Sequence, residues 1–431
     1  MDKVYFNMFK NKYNKIFFLF FTFLITHSCT HLFIINKNSK LFKHVKYLAS
    51  DKLEGRYPGT DGGRKAAIYI RKEFINNGLN TLGDDGFQYF DIIDDILLGP
   101  NNELEFENKE YFINKDYIPL SFSANTILSE QLFFAGYGFS IKNDSTDWDD
   151  YSNYDKKNNW VMILRGSPDG NNPHSIYSDH NSLRYKAITA KDKGAAGIIF
   201  ISGYEFDKED ILIPLKYDQS QQDLGIPIIH ISRTLADEIL QKNQTSIKKL
   251  EDQINIQKNH INNFYIKEYL DVKTDIILQK KQTQNVLAYI EGEDDVLKDE
   301  FIVLGAHYDH IGFGGEGSGS RRPYLKEIHN GADDNASGVS VLIELSRKLS
   351  MLNNKRSILF IAFGAEEMGL IGSKYFVNSN LIAHDKIQIM INMDMIGRLN
   401  EEKTININGT KTAIDLEQKL KSIINKYNIN T

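Results

Sequence analysis

Histidine and carboxylate side chains recur at short intervals between residues 302 and 394. They fall in four clusters, which are His307-Tyr308-Asp309, Asp333-Asp334-Asn335-Ala336-Ser337-Gly338, Glu366-Glu367 and Asn392-Met393-Asp394. Carboxylates that converge on one place repel each other unless cations lie between them. If the fold brings these clusters together, the simplest chemistry for them is a metal site.

Each cluster lies beside a segment with the pattern of a regular element. Apolar runs typical of buried strands lead into three of them, at Ile302–Ala306, Ile358–Phe363 and Ile387–Met393. The remaining cluster precedes apolar residues at helical spacing, which are Val339, Leu342, Ile343, Leu345 and Leu349. Ligands bind at the carboxyl ends of strands in open α/β sheets. We therefore predict an α/β fold, with a mostly parallel mixed sheet flanked by helices and the metal site at the edge of that sheet.

Composition excludes some partners and some metal ligands. The 431 residues are 41% hydrophobic and 25% charged, which is ordinary for a soluble globular protein. Lys and Arg total 51 against 57 for Asp and Glu, so no basic excess is available to neutralise phosphates and no nucleic acid partner is expected. The single cysteine, Cys29, allows neither an internal disulfide nor a thiolate zinc site. Any metal must be held by His, Asp and Glu.

Residues 1–29 have the pattern of an export signal. Lys10, Lys12 and Lys15 precede the apolar run Ile16–Ile25, which has signal-peptide length and is shorter than the roughly 20 residues of a transmembrane helix. A small residue directly before Cys29 resembles a bacterial lipoprotein processing site. We expect export to the cell envelope (periplasm or outer membrane) or secretion, with membrane contact only through a lipid on Cys29. An ordinary cleaved signal and an uncleaved anchor are the alternatives.

The mature chain is predicted to contain a main domain and an insert. Residues 41–121 would begin the main domain, 122–270 would form a smaller inserted α/β domain, and 280–431 would complete the main domain. Strand and helix patterns alternate in the insert without a convergent His, Asp and Glu set, and His230 is interpreted as a core histidine. Arg56 lies in a Gly/Pro loop, where it either lines a substrate site or is a solvated charge.

None of the four clusters is by itself specific evidence for a metal site. Asp334 could simply be the N-cap of the following helix, and Glu366-Glu367 could be a solvated pair. His307-x-Asp309 is a weak signal, although a metal-bound imidazole commonly donates its other N–H to a carboxylate. Their order along one chain is far more specific than any one of them.

Taken together, the four clusters resemble one family of enzymes. The segments His307-x-Asp309, Ala332–Gly338, Ala365-Glu366-Glu367-x-Gly369-x-x-Gly372-Ser373 and Asn392-x-Asp394 resemble the co-catalytic zinc aminopeptidases, which include bacterial leucyl aminopeptidases, aminopeptidase Y and glutamate carboxypeptidase II. The segment His44–Phe74 is similar to the start of that domain, and residues 122–270 are similar to the protease-associated domain often inserted there. The resemblance implies a zinc exopeptidase fold, peptide substrates, and hydrolysis at the N-terminus as the first choice of activity.

The resemblance also implies a role for each matching residue. His307 and Asp394 would bind one zinc, Glu367 would bind a second, and Asp334 would bridge the two. Glu366 would be the general base for the attacking water. Asp309 would assist catalysis by holding the ring of His307.

One feature of the family has no match in this sequence. The family carries a further histidine ligand of the second zinc, downstream of Asn-x-Asp, whereas no histidine follows His384 here. We therefore expect either truncation at the C-terminus or impaired catalysis, with the second zinc held by Asp334 and Glu367 alone. His310, His329 and His384 are not at the matching position and are not expected to substitute. The alternatives are a glutaminyl cyclase-like acyltransferase and an inactive, peptide-binding member of the family.

Overall fold

The structure is a computed structural model that describes residues 39–430 except 144–145, 171, 173, 217–222, 316–317, 413–414 and 428–429. The predicted export signal and Cys29 lie outside the described residues. Within the described ranges, every helix is too short or too polar to cross a membrane.

Most helices begin at a serine or threonine. In the described part of the chain the α-helices are α1 (Lys40–Leu48), α2 (Asp61–Asn76), α3 (Leu183–Lys193), α4 (Arg233–Leu240), α5 (Ile247–Gln257), α6 (Gly338–Leu349), α7 (Ile371–Asn378) and α8 (Leu416–Tyr427). The hydroxyls that accept a hydrogen bond from the first turn of α1–α5 belong to Ser39, Thr60, Ser182, Ser232 and Ser246. Such caps satisfy N–H groups that have no partner inside the helix.

The described strands are β1 (Asn80–Thr81), β2 (Phe87–Leu98), β3 (Glu103–Phe106), β4 (Lys109–Glu110), β5 (Tyr117–Pro119), β6 (Ile127–Phe134), β7 (Ser140–Asn143), β8 (Thr146–Asp149), β9 (Trp160–Leu164), β10 (Gly197–Ile201), β11 (Ile228–Ile231), β12 (Phe264–Lys273), β13 (Ile276–Ile290), β14 (Phe301–His307), β15 (Ser357–Phe363) and β16 (Ile387–Asn392). The three predicted strands that lead into the site correspond to β14, β15 and β16, and the predicted helix after Asp334 corresponds to α6.

By its contacts the chain divides into two units. The first contains the described residues up to Gln88, the segment Asn285–Gly364, and the described residues from Phe376 onward. Its sheet has the order β1-β13-β15-β14-β16, and β2 also pairs with β13. β14 runs parallel to β15 and β16, whereas β13 is antiparallel to β1 and β15.

The predicted α/β class with a mixed sheet is confirmed, but the prediction that the sheet is mostly parallel is wrong. Parallel pairing is found on the two sides of β14, and β13 pairs antiparallel with both of its neighbours in the order above. The apolar run of a strand such as β13 carries no information about its direction, so the sequence could not show this.

In the first unit, β14 lies beside a buried strand and a core of apolar side chains. β15, which pairs with β14 along its length, is buried at all seven positions. Helices α2 and α6 contribute apolar side chains to the same core, among them Phe74 and Leu342. In the register, His307 lies opposite Phe363 on β15 and Gly305 lies opposite Asn392 on β16. The carboxyl ends of three parallel strands therefore meet at one edge.

The second unit comprises Tyr89–Gln284 and Ala365–Tyr375. Its sheet has the order β4-β3-β12-β6-β9-β10-β11-β5, and the pairings from β6 through β11 are parallel. The unit begins before the predicted boundary at residue 122 because β3 and β5 pair with β12 and β11 of this sheet. These short strands lack a strong apolar pattern, so the sequence did not separate them from the main domain. His230 is fully buried on β11, as predicted for a core histidine.

Candidate metal centre

His307 is the last residue of β14 and is almost completely buried, with 2% of its surface exposed. Its Nδ1 lies 3.3 Å from the backbone oxygen of Asp309 and 3.8 Å from the Oδ1 atom of the same residue. A carbonyl oxygen only accepts, so this contact assigns the ring proton to Nδ1 in the neutral imidazole. The Nε2 atom then carries a lone pair, which is the form that binds a metal.

Two carboxylates face that Nε2 atom. Oδ1 of Asp334 and Oδ1 of Asp394 each lie 3.3 Å from it. Asp394 comes from the residues directly after β16, which runs parallel to β14, and Asp334 comes from the short turn Ala332–Ser337 before α6. The three ligand atoms lie within 4.8 Å of one another.

The donor set fits a zinc ion. A lone pair and two carboxylate oxygens that converge repel each other, and a cation between them removes the repulsion. Zinc is bound by His nitrogen and carboxylate oxygen at about 2.0–2.2 Å, so three such ligands around one ion lie at separations close to those seen here. His307, Asp334 and Asp394, which were predicted as ligands, are thus brought together.

Asn335 connects the two carboxylates, although sequence reasoning gave it no role. Its side chain is fully buried. The Nδ2 group donates to the backbone oxygen of Met393 at 2.9 Å, and Oδ1 accepts from the N–H of Gly338 at 3.0 Å and of Met395 at 3.4 Å. Asn335 therefore holds the residues on both sides of Asp394 and also bonds the first turn of α6. Asp334 is not the helix cap, because Ser337 occupies the N-cap position of α6 and the N–H of Gly338 is bonded by Asn335.

A second set of hydrogen bonds joins the same two segments. The Ser337 hydroxyl accepts from the N–H of Ile396 at 3.1 Å, and Asp333 Oδ1 accepts from the N–H of Gly397 at 2.8 Å. Asp333 also pairs with Arg398, whose Nε lies 3.1 Å from Oδ2. The turn before α6 is thus bonded to the three consecutive residues 396–398, which follow Asp394.

Arg56 is in neither of the two predicted environments, the wall of a substrate site or a solvated loop. Only 1% of its surface is exposed, so it is neither a solvated charge nor an exposed wall of a substrate site. Its guanidinium donates to the backbone oxygens of Tyr308, Asn330 and Gly331 at 2.7, 2.7 and 2.8 Å. Tyr308 lies between His307 and Asp309, and Gly331 begins the turn that carries Asp334. Arg56 therefore fixes the backbone of two ligand-bearing segments at once.

The surroundings of Asp334 favour its ionised form. The contact with the His307 ring lowers the pKa of this carboxyl group, and the positive charge of Arg56 acts in the same direction, while partial burial opposes them. An ionised carboxylate is the form that binds a metal.

His310 is closer to this centre than the sequence indicated. One of its ring nitrogens lies within 4.8 Å of a carboxylate oxygen of Asp334. The expectation that His310 has no part in metal binding came from its position relative to the family pattern, which does not record distances in space.

Glu366 and Glu367 follow β15 in the segment Ala365–Tyr375, which belongs to the second unit. The backbone oxygen of Glu366 accepts from the N–H groups of Gly369 and Leu370, both at 2.8 Å, so the pair begins a tight turn. The roles of Glu366 as general base and Glu367 as metal ligand stay predictions from the sequence.

Comparison with known proteins identifies the segment that carries the centre. Residues 285–431 match the model of peptidase family M28. The M28 segment contains His307, Asp334 and Asp394, and the family resemblance stated from the sequence is confirmed.

Two sequence relatives and one solved structure are similar to this chain. Aminopeptidase YwaD of Bacillus subtilis (strain 168) is 25% identical over 214 residues, which are 49% of this chain and 36% of that protein. A probable zinc metalloprotease of Pyrenophora teres f. teres (strain 0-1) is 34% identical over 118 residues, 27% of this chain and 23% of that protein. The match thus spans well under two thirds of either relative. The structure of BSAP, a zinc aminopeptidase from Bacillus subtilis, aligns with a TM-score of 0.43 and 21% identity over 90% of this chain and 76% of that chain.

Proposed function

We propose that this protein is a zinc-dependent exopeptidase, and specifically an aminopeptidase that releases N-terminal residues from peptides. The observation that carries the proposal is the convergence of His307, Asp334 and Asp394 at the edge of the sheet, within the M28 segment. The two relatives described above, one an aminopeptidase and one a probable zinc metalloprotease, support the same class.

Each residue would have a distinct chemical role in the reaction. His307, Asp334 and Asp394 would hold zinc, and the backbone oxygen of Asp309 orients the His307 ring for it. Bound zinc supplies Lewis acidity, which activates water and polarises the scissile carbonyl. Glu366 would accept the proton of the attacking water and deliver it to the leaving amine. Glu367 would complete a second zinc site, so that two ions are expected per chain.

The proposal extends to the parts of the protein around the centre. The second unit would be a protease-associated domain, which is supported by its sequence resemblance. Export and lipid attachment at Cys29 are supported by the pattern of residues 1–29. Mass spectrometry of the protein from a bacterial membrane fraction would show a diacylglyceryl group on Cys29 if lipid attachment is correct.

The activity is tested by measuring zinc content and hydrolysis of aminoacyl-p-nitroanilides by the full chain. We expect Glu366→Gln to reduce turnover by about 10²–10⁴-fold, which is the usual contribution of a general base, with zinc content unchanged. Glu293→Gln is the matched control, because Glu293 is an exposed glutamate in the turn before β14. It should behave like the wild type.

Three results would contradict the proposal. The absence of zinc and of hydrolysis would favour an inactive, peptide-binding protein. Cyclisation of peptides with N-terminal glutamine, without hydrolysis, would favour an acyltransferase. Equal turnover by Glu366→Gln and the wild type would remove Glu366 from the mechanism.

A further inference from the structure

Two histidines lie near the carboxylate of Asp334. The Nε2 atom of His307 lies 3.3 Å from its Oδ1, and a ring nitrogen of His310 lies within 4.8 Å of its carboxylate. The two histidines are separated by two residues on the chain that leaves β14, and the intervening Tyr308 is buried. An ionised carboxylate offers two oxygens with about four lone pairs, so one carboxylate can serve a cation on each side.

The position of His310 depends on a glycine. Gly331 has a φ of +54°, and a Cβ atom there would lie 2.6 Å from Cγ of His310 and 2.2 Å from the backbone oxygen of Asp334. Any larger residue would therefore push the imidazole away from the turn that carries Asp334. Arg56 bonds the backbone oxygens of both Tyr308 and Gly331, so the two segments that bring His310 and Asp334 together are fixed to each other.

The separations suit coordination. Nitrogen and oxygen ligands lie about 2.0–2.2 Å from zinc, which puts neighbouring ligand atoms of a tetrahedral site about 3.4 Å apart. The ring nitrogen of His310 and the carboxylate oxygen of Asp334 lie within 4.8 Å of one another, so their separation exceeds that value by at most about 1.4 Å. Paired ions in hydrolases lie about 3.5–4 Å apart, a distance that a bridging carboxylate spans.

We propose that His310 is a ligand of a second zinc ion, which Asp334 bridges to the ion held by His307 and Asp394. The inference rests on the proposed function, because it assumes that the centre binds zinc. It adds a ligand that neither the spacing of the sequence nor the family pattern supplied.

The test is a zinc titration of the metal-free full chain against a chromophoric chelator. The wild type should bind two equivalents. His310→Gln should retain one equivalent within about threefold of the wild-type affinity and lose at least about 100-fold in the affinity of the other, since even indirect supports of zinc ligands are worth 10–100-fold. His310→Asp returns a ligand oxygen and should recover part of the loss. The control is His384→Gln, because His384 is an exposed histidine that contacts the backbone oxygen of Val377.

A measurement on the wild type keeps the test independent of variant folding. With two zinc ions bound per chain, X-ray absorption should show an average of one imidazole per zinc if both His307 and His310 bind. The average should be one half of an imidazole per zinc if only His307 binds. Two equivalents with unchanged affinity in His310→Gln, or a single equivalent in the wild type, would overturn the role of His310. Hydrolysis by the same samples would still support the proposed function in those cases. A wild type without zinc and without hydrolysis would overturn both proposals.

Discussion

Asn335 offers the sharpest test of how the centre is held, because its side chain bonds the backbone of the ligand-bearing segments and is not itself a proposed ligand. In Asn335→Ala, the buried N–H of Gly338 and the partly buried backbone oxygen of Met393 lose their side-chain partner, and the weaker bond from Met395 is lost as well. The residues flanking Asp394 are then no longer tied to the turn that carries Asp334. The two carboxylates would be free to move apart.

The magnitude follows from the number of buried groups left without this partner. A buried donor or acceptor that loses its hydrogen bond costs about 1–3 kcal/mol, so the two short bonds of Asn335 correspond to a loss of about 2–6 kcal/mol in unfolding free energy. Zinc affinity should fall about 10–100-fold, as for other residues that support metal ligands. Asn335→Asp keeps the acceptor for Gly338 but cannot donate to Met393, so its loss of zinc affinity should be intermediate.

The control is Asn354→Ala at the other end of the same helix. The Asn354 side chain donates to the backbone oxygens of Leu349 and Leu352 at 2.8 and 3.0 Å, where α6 ends. Thermal unfolding followed by circular dichroism should show destabilisation in both alanine variants, and chelator competition should show weaker zinc binding only in Asn335→Ala. Equal zinc affinity in the two variants would refute the reasoning, because stability alone would then explain Asn335.

Two further predictions concern buried cations. Arg56→Lys keeps the charge but cannot reach three carbonyl oxygens, so the unfolding free energy, measured by thermal unfolding, should fall by about 2–4 kcal/mol. The control is Arg64→Lys at an exposed position on α2, whose unfolding free energy should stay within about 0.5 kcal/mol of the wild type. Similar losses in both variants would contradict the role of Arg56. In the second unit, burial lowers the pKa of Lys186 to about 7 from 10.5. The unfolded chain binds this proton more tightly between those values, so stability should rise by up to about 1.4 kcal/mol per pH unit from pH 7 to 9.5. Lys186→Met should lack that slope in urea unfolding followed by the fluorescence of Trp148 and Trp160, both buried in this unit. An unchanged slope would show that Lys186 is not its source.

The sequence predicted the parts of the centre that depend on periodicity and on sheet geometry. Apolar runs located β14, β15 and β16, and the parallel pairing of these strands explains why His307 and the residues after β16 lie side by side. The supports were not predicted. Asn335 and Arg56 act through hydrogen bonds to backbone groups, which every residue carries and which leave no pattern in the sequence.

The sequence alone also does not show which of the adjacent residues Asp333 and Asp334 is the metal ligand. They are chemically identical, and only the family resemblance favoured Asp334 as the ligand. In the structure, Asp333 directs its carboxylate at the N–H of Gly397 and at Arg398, whereas Asp334 directs Oδ1 at His307. The protein therefore uses one carboxylate to join two chain segments and presents the other to the metal site.

This division has an energetic reason. A carboxylate that pairs with arginine and a backbone N–H would compete poorly for zinc, since its charge is already balanced. The supports closest to Asp334 and Asp394 are an amide and a guanidinium that donate to backbone oxygens and a hydroxyl that accepts from a backbone N–H, and these leave the Oδ1 atoms facing His307. Holding the ligands by their backbone thus fixes their positions while their negative charge is kept for the cation, which is the arrangement that a tight zinc centre requires.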